Sequence, residues 1–199
     1  MKTNSVNRNS GTDVMKSVED VTDRAASAQV EKNLFLGEYK ERIIKALTFE
    51  EIKEKGIYYE IEEALENKDV AKMVISRHAE FEDIKKYIEI AKKKKIPYKM
   101  IDNLVCSGDI ALVVVAKDAI VHEAGDEIII TSKLEMCHLK HLPDVYYEAM
   151  ESAVCDFHLD IIKKEMPEYA KNYKELTFMD KLFGSKCPIC QKLGGKKRG

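Results

Sequence analysis

The chain has 199 residues, a length that suits one domain or one compact domain with appendages. Apolar residues make up 45% and charged residues 34% of the chain, a composition typical of soluble globular proteins that excludes a disordered or fibrous one. Lys and Arg number 33 against 35 Asp and Glu. The resulting net charge of −2 gives no overall attraction to nucleic acid or to an anionic membrane.

The composition of residues 1–12 and the spacing of the cysteines predict that the protein lies in the cytoplasm with its thiols reduced. Residues 1–12 are almost entirely polar, which predicts a disordered segment and no signal peptide. The longest apolar run, Ile110–Ala116, is far shorter than the roughly 20 residues of a membrane helix. Five cysteines at irregular spacing do not read as a disulfide framework. We therefore expect a cytoplasmic protein with free thiols and no membrane partner.

Apolar residues at helical spacing predict several helices in the first third of the chain. Thr48 and Glu51 fit a capping box, in which a hydroxyl and a carboxylate satisfy free backbone donors at a helix start. Gly56 is expected to end the short helix that follows this box. The predicted helices cover residues 13–32, 39–47, 48–56 and 58–65.

The middle of the chain alternates between strands and a helix. An apolar stripe from Phe81 to Ala91 predicts a helix that ends near Lys95, ahead of Pro97. The predicted strands, rich in β-branched residues, are residues 73–75, 98–101, 110–115 and 127–131. This order of elements predicts an α/β or α+β sandwich with a mixed sheet.

The last third predicts helices and a basic end. Residues 144–164 carry the apolar spacing of one long helix, which Pro167 should end or restart, and a polar helix should follow to about Phe183. From Lys181 onward there are six basic residues and no acidic one. We therefore divide the chain into a disordered segment (1–12), a helical arm (13–32), an α/β domain (33–131), a helical extension (132–183) and a basic tail with a CxxC motif (184–199).

Three ordered blocks carry a family resemblance. Residues 34–48 (LFLGEYKERIIKALT), 56–65 (GIYYEIEEAL) and 108–121 (GDIALVVVAKDAIV) follow one another in the order found in the YueI-like domain, which they resemble. This resemblance covers roughly residues 33–123. The YueI-like family is a bacterial domain of unknown function, found mainly in Gram-positive organisms. The resemblance implies a chorismate-mutase-like α/β fold, the class that also holds the kink-turn-binding ribosomal proteins.

The same resemblance raises RNA or a ribonucleoprotein as a partner of a non-enzymatic binding module. In those ribosomal relatives a Gly-x-Asn-Glu-x-x-Lys loop reads base edges and phosphate. The nearest stretch here, residues 56–60, lacks the Asn, and Glu62 and Glu63 stand where a positive charge is needed. This departure disfavours kink-turn binding, so RNA binding is here an analogy of fold.

Two short basic runs are candidate phosphate contacts. Residues 92–95 are four lysines with Tyr87 and Tyr98 nearby as stacking partners, although favourable placement of cations at a helix C-terminus explains this run better. The second run closes the chain, where a solubilising tail is the alternative to nucleic-acid binding. It comprises Lys196, Lys197 and Arg198.

The sharpest metal-binding motif is the pair Cys187 and Cys190, separated by Pro188 and Ile189. Two thiolates at this spacing supply half of a tetrahedral zinc site. Cys155 and His158, three positions apart on a predicted helix, are candidates for the other half. A redox role is disfavoured, because the motif follows no strand of a βαβ unit. A complete zinc site needs four converging ligands, and a sequence does not show convergence. We therefore favour an exposed tail with two unused thiols over a complete zinc site.

The remaining candidates for chemistry are weaker. Cys137 and His141 form a second possible metal pair, but packing explains them better. The chain has no Walker, GxGxxG or GxSxG motif, and we expect Glu60 on an exposed helix start and Asp109 at a strand turn. We therefore expect no built-in catalyst and no buried cluster of ionisable groups between residues 35 and 121. An oligomer with an active site between subunits is a further alternative.

Overall fold

The computed structural model describes residues 26–102, 108–122 and 125–194. The predicted disordered segment (1–12), most of the predicted helical arm and the basic run at 196–198 lie outside these ranges. In the described ranges the strands are β1 (Ile43–Thr48), β2 (Val70–Ser76), β3 (Tyr98–Ile101), β4 (Ile110–Ala116), β5 (Ala153–Val154) and β6 (Lys174–Glu175). The helices there are α1 (residues 26–34), α2 (Tyr59–Ala64), α3 (Phe81–Lys93), α4 (Lys133–Leu139), α5 (Val145–Glu148), α6 (Asp156–Glu165), α7 (Phe178–Leu182) and α8 (Pro188–Leu193).

Four strands form a mixed sheet in the order β1-β4-β2-β3. The central strand β4 is antiparallel to β1 and β2, whereas β3 is parallel to β2. All seven residues of β4 are buried, which suits a β-branched strand covered on both faces. Helix α3 makes the crossover that the parallel pair β2 and β3 requires. The predicted mixed α+β architecture is confirmed.

Apolar side chains fill both faces of this sheet. The smaller cluster contains Phe35, Val113 and Val115. The larger cluster begins under α2 and α3 and continues without interruption into the C-terminal part of the chain, where Ile162 and Ile189 belong to it. The sheet region (residues 34–122) and the C-terminal region (residues 132–194) therefore share one core. Among the described residues, no helix has the length and apolar character needed to cross a bilayer.

The helix predicted over residues 39–47 is wrong. A short 3₁₀ turn, Lys40–Arg42, leads into strand β1 instead. Ile43 and Ala46 enter the smaller apolar cluster, while Ile44 and Leu47 enter the larger one on the opposite face. A strand that is buried on both faces carries apolar residues at nearly every position, and some of them coincide with helical spacing.

Two further predictions near β1 are met only in part. The amide of Thr48 donates to the carboxylate of Glu51 (3.0 Å), and the amide of Glu50 donates to the Thr48 hydroxyl (3.2 Å), but only a 3₁₀ turn follows. The strand predicted over residues 127–131 is reduced to one isolated bridge, which joins Ile129 to the outer edge of β1.

The single long helix predicted over residues 144–164 is wrong as well. The chain leaves α5 through Glu151, which has a φ of 66°, and its amide donates to the carbonyl of Asn172 (2.7 Å). Strand β5 then precedes α6 and pairs in parallel with β6, which follows α6 in the chain. Helix α6 ends at Glu165 before Pro167, as predicted, but a 3₁₀ helix, β6 and α7 replace the predicted polar helix. The pairing of β5 with β6 is a long-range contact, which helical periodicity does not reveal.

A buried ionisable cluster joins the two regions, against our expectation. Lys133, at the start of α4, is wholly buried, and its Nζ donates to the carbonyl of Lys55 (2.8 Å) and lies 3.7 Å from the ring centre of Tyr58. Its amide donates to the Glu54 carboxylate (3.0 Å). Burial lowers the pKa of Lys133 to about 7. Lys133 has no exposed surface, and its contacts with Lys55, Glu54 and Tyr58 form part of the packing between the regions.

Glu60 extends this cluster and is half-buried rather than exposed. Its two carboxylate oxygens accept from the hydroxyl of Tyr169 at 2.8 and 2.7 Å. Burial raises the pKa of Glu60, although this hydrogen bond opposes the shift. The sheet region and the C-terminal region are thus joined by polar contacts as well as by the common core.

Candidate metal centre

Two short helices begin in the same way and supply the four candidate metal ligands. Cys155 is the N-cap residue of α6 and His158 follows within its first turn. Cys187 is the N-cap residue of α8 and Cys190 follows within its first turn. Pro188 occupies the first position of α8, where its fixed φ suits a helix start and its missing N–H costs no hydrogen bond. Each pair therefore projects two donor atoms from one helical turn.

The tertiary structure brings the two pairs together. The Sγ atoms of Cys155 and Cys190 are 3.4 Å apart. The Nδ1 atom of His158 lies 3.3 Å from the Sγ of Cys155, 3.4 Å from that of Cys190 and 3.7 Å from that of Cys187. All four donor atoms lie within 4.8 Å of one another. The part of our interpretation that placed the CxxC motif in an exposed tail is wrong, because Cys187 is buried and Cys190 is half-buried.

These separations match the shape of a tetrahedral metal site. Bond lengths of about 2.3 Å to sulfur and about 2.0 Å to nitrogen, typical of zinc, place tetrahedral sulfurs about 3.8 Å apart and sulfur about 3.5 Å from nitrogen. The distances of 3.3 to 3.7 Å between the nitrogen and the sulfurs bracket the second value, while the 3.4 Å between the Sγ atoms of Cys155 and Cys190 is somewhat shorter than the first. Three thiols and one imidazole are also a donor set that soft and borderline metals prefer.

The environment of the four ligands is mostly dry. Cys187 and His158 are buried, while Cys155 and Cys190 are half-buried. Burial lowers the pKa of His158 and so favours the neutral imidazole, the form that binds metals. Burial and hydrogen bonds with neighbouring sulfurs raise the pKa of Cys190 to about 12. A cation among these thiols reverses that effect, because a coordinated thiol loses its proton.

Neighbouring side chains hold the ligands in place. The rings of Phe157 and Tyr146 meet the His158 imidazole edge to face, with centroid distances of 5.0 and 5.9 Å. Between the two cysteines of α8, Ile189 is wholly buried in the larger core cluster. The apolar contact of Ile189 anchors α8, so the position of the CxxC motif does not depend on a metal alone.

The weaker metal pair does not join this cluster. Cys137 is wholly buried and its thiol lies 3.8 Å from the Sδ of Met166. Burial raises the pKa of Cys137 to about 11, as expected of a packing residue. His141 belongs to no group of converging metal-ligating side chains within the part of the chain that the structure describes. Packing, the interpretation favoured for this pair, agrees with the burial of Cys137, whereas His141 is exposed.

The candidate phosphate contacts are placed as follows. Tyr87 is wholly buried and cannot stack on a base, which corrects that part of the prediction. Tyr98 is 38% exposed, with the Nζ of Lys92 at 5.9 Å from its ring centre. Lys196, Lys197 and Arg198 lie outside the described residues.

Sequence reasoning missed the residues that join the two regions. The side chain of Asn172 binds the main chain of Ile57 twice, as an acceptor at 3.2 Å and as a donor at 2.9 Å. The carboxylate of Glu151 accepts from the amide of Gly56 (2.8 Å). Gly56 has a φ of +71°, and this turn glycine was the only signal of the junction in the sequence.

Comparison with known proteins covers mainly the first two thirds of the chain. The matching family model is described as a protein of unknown function (DUF1694) and covers residues 13–126. The uncharacterized protein YueI of Bacillus subtilis (strain 168) is 28% identical over 93 residues, which are 47% of this chain and 70% of that protein. The crystal structure of the YueI protein from Bacillus subtilis aligns with a TM-score of 0.48 and 26% identity over 51% of this chain and 77% of that chain.

The four candidate ligands all follow residue 126 and so lie beyond the segment that the family model matches. The metal centre therefore belongs to the part of the chain that the family comparison does not describe. The resemblance to the YueI-like family is confirmed, and the chain belongs to the DUF1694 family of proteins of unknown function.

Proposed function

We propose that this protein binds one zinc ion through Cys155, His158, Cys187 and Cys190, and that the ion has a structural role. The observation that carries the proposal is the convergence of the four donor atoms within 4.8 Å of one another. Zinc fits a Cys₃His set because it accepts thiolate and imidazole ligands in tetrahedral geometry.

Four protein ligands support a structural rather than a catalytic role. Catalytic zinc sites keep one coordination position for water or substrate, whereas structural sites are closed by four side chains. Here the fourth position is taken by the protein, and two of the four ligands are buried. The proposed function is therefore that of a non-enzymatic binding protein whose C-terminal region is held by zinc.

The ion would cross-link two short helices, α6 and α8, that otherwise have few contacts with each other. Helix α8 has six residues and packs against α5 and β5. Helix α6 carries the other two ligands, so a bound ion joins two chain segments separated by about thirty residues. Such a link supplies stability that these short elements do not gain from burial alone.

The test is elemental analysis of the full chain purified from zinc-supplemented cells without chelator. We expect about one zinc per chain in the wild type and less than about 0.2 in a variant with both Cys187→Ser and Cys190→Ser. The matched control is Cys137→Ser, which removes a buried thiol outside the cluster and should leave the zinc content unchanged. A wild-type content below about 0.2 zinc per chain contradicts the proposal.

A second proposed function is RNA binding at the surface formed by the end of α3 and strand β3. Its support is the exposed ring of Tyr98 beside Lys92, because an aromatic face and nearby cations together bind bases and phosphates. Lys93 and Lys99 are exposed on the same segment. The chorismate-mutase-like fold implied by the family resemblance adds an analogy with ribosomal proteins.

Retention on structured RNA at about 50 mM salt tests this second function, because phosphate contacts are strongest at low salt. We expect Tyr98→Ala combined with Lys92→Gln to reduce retention, and Lys163→Gln on helix α6 to leave it unchanged. Absence of wild-type binding at low salt contradicts RNA binding and leaves the zinc proposal unaffected.

A further inference from the structure

A cavity of about 340 Å³ lies at the junction between the sheet region and the C-terminal region. Lys86 of helix α3 contributes to it from the sheet region, and Glu151, Lys171, Asn172 and Lys174 contribute from the C-terminal region. The volume falls in the range of sites that take small ligands, roughly 300 to 1,000 Å³. Because both regions form its walls, the cavity exists only where they are docked together.

The wall of this cavity is held by hydrogen bonds rather than by side-chain contact alone. Asn172 binds both the amide and the carbonyl of Ile57, and Glu151 accepts from the amide of Gly56. A Cβ atom on Gly56 would lie 2.6 Å from the Cγ of Asn172, so the two chain segments approach as closely as glycine allows. Such a wall is fixed before any ligand arrives, which lowers the entropic cost of binding.

The charges around the cavity favour an anion. Three lysines face one carboxylate, and that carboxylate, of Glu151, is already bound by a backbone amide. Lys171 is paired with Glu62. Lys86 is half-buried, and its Nζ donates to the carbonyl of Glu54 (2.6 Å). Over the described ranges of the chain, no carboxylate lies within 4.0 Å of the Lys86 or Lys174 ammonium groups.

The environment of Lys86 adds a second argument. The ammonium group is partly withdrawn from water, and this burial lowers the pKa of Lys86. Its carbonyl partner bears no net charge, and the nearby carboxylates of Glu151, Asp83 and Glu54 offset the cost of burial only in part, so the cation lacks part of its compensation. An anion in the cavity would supply it.

We propose that this cavity binds the phosphate group of a small phosphorylated ligand, with Lys86 and Lys174 as the cations that receive it. Lysine is a common phosphate ligand because its ammonium group acts as a compact point charge with three donors. The Asn172 amide and the junction backbone shape the wall beside it. This proposal uses none of the four metal ligands, so it stands or falls independently of zinc.

The test is calorimetric titration of the full chain, as purified without chelator, with three probes: inorganic phosphate, adenosine monophosphate and adenosine. We expect saturable binding of the two phosphate-bearing probes at one site per chain and no binding of adenosine. Tighter binding of the nucleotide than of inorganic phosphate would identify a nucleotide-like ligand, and equal binding would identify free phosphate.

Adjacent lysines of α3 provide a matched pair of variants. Lys86→Gln keeps a donor for the Glu54 carbonyl but removes the charge, and we expect it to weaken phosphate binding at least about tenfold. Lys85→Gln, which changes an exposed neighbour outside the cavity, should bind as the wild type does. Should Lys86→Gln fail to fold, Lys174→Gln changes an exposed residue and is expected to weaken binding in the same direction.

Three results would overturn the proposal. One is a linear, non-saturating response to phosphate in the wild-type protein. Another is unchanged affinity in both Lys86→Gln and Lys174→Gln. The third is equal binding of adenosine and adenosine monophosphate, because recognition would then not involve the phosphate.

Discussion

The sheet region and the C-terminal region reach a stable structure by different means. The sheet region has a central strand, β4, whose seven residues are all buried, and a thirteen-residue helix, α3, packed against the sheet. The C-terminal region consists of short elements: its longest helix, α6, has ten residues, its strands have two each, and α7 buries no residue. Short elements bury little apolar surface each, so a cross-link between them adds relatively more stability than one between the longer elements of the sheet region.

Metal removal is expected to cause the largest difference in behaviour between the two regions. Structural zinc sites contribute about 10 kcal/mol or more to the folded state, so a strong chelator should unfold the segments around Cys155 and Cys190. Hydrogen exchange should then show lost protection in α6 and α8 and retained protection in β2 and β4. Adding zinc back should restore protection. Equal loss of protection in both regions would show that they unfold as one cooperative unit and do not differ in how they are stabilised.

Substitution of Gly56 tests how far the two regions depend on their junction. Gly56→Ala places a Cβ in a left-handed turn and 2.6 Å from Asn172, so we expect the free energy of unfolding to fall by about 3 kcal/mol in urea titration. Gly37→Ala is the control, since its φ is +80° but no atom lies within 4 Å of the added Cβ. Equal losses in both variants would show that only backbone strain matters at residue 56.

Lys133 predicts a pH dependence of stability that originates at the same junction. Its pKa is about 7 in the folded protein but near 10.4 in an unfolded chain, so between these values the unfolded state binds the proton and the folded state does not. The free energy of unfolding should therefore rise with pH across this window, by at most about 1.4 kcal/mol per unit. Below the folded-state pKa both states carry the charge, so the free-energy cost of burying the ammonium group is fully present.

The measurement is urea unfolding of the wild type and of Lys133→Met at intervals between about pH 7.5 and 9.5, below the range in which tyrosines titrate. The difference between the two proteins isolates the lysine from the other groups that titrate in this range. We expect the slope to be smaller in the variant. Identical slopes would show that the ammonium group is solvated in the folded protein.

The smallest expected effect is at α7, on the periphery of the C-terminal region. The amide of Asp180 donates to the Thr177 hydroxyl (3.2 Å), and Thr177→Ala removes this cap at a local cost of about 1 kcal/mol. Because α7 buries no residue, we expect faster hydrogen exchange within α7 and a global change below about 0.5 kcal/mol. Thr177→Ser retains the hydroxyl and is the control. A large global loss would show that α7 is more tightly coupled to the core than its exposure indicates.

Predictions from the sequence were accurate where the spacing of apolar residues was typical of one kind of element only. Strand β3 was predicted with its observed bounds, and β2, β4 and α3 were predicted to within a few residues. Strand β1 was missed because its two buried faces imitate helical spacing. The long helix over 144–164 was wrong because the break at Glu151 depends on Asn172, which is distant in sequence.

The sequence by itself determined the family, the mixed sheet and the identities of the four candidate metal ligands, since each depends on residue type and local spacing. Only the tertiary structure decided that Cys155 and His158 meet Cys187 and Cys190, and that Lys133 and Lys86 lose solvent at the junction. Distances between distant segments and the solvation of a charge arise from packing of the whole chain, and local patterns of residues do not record them.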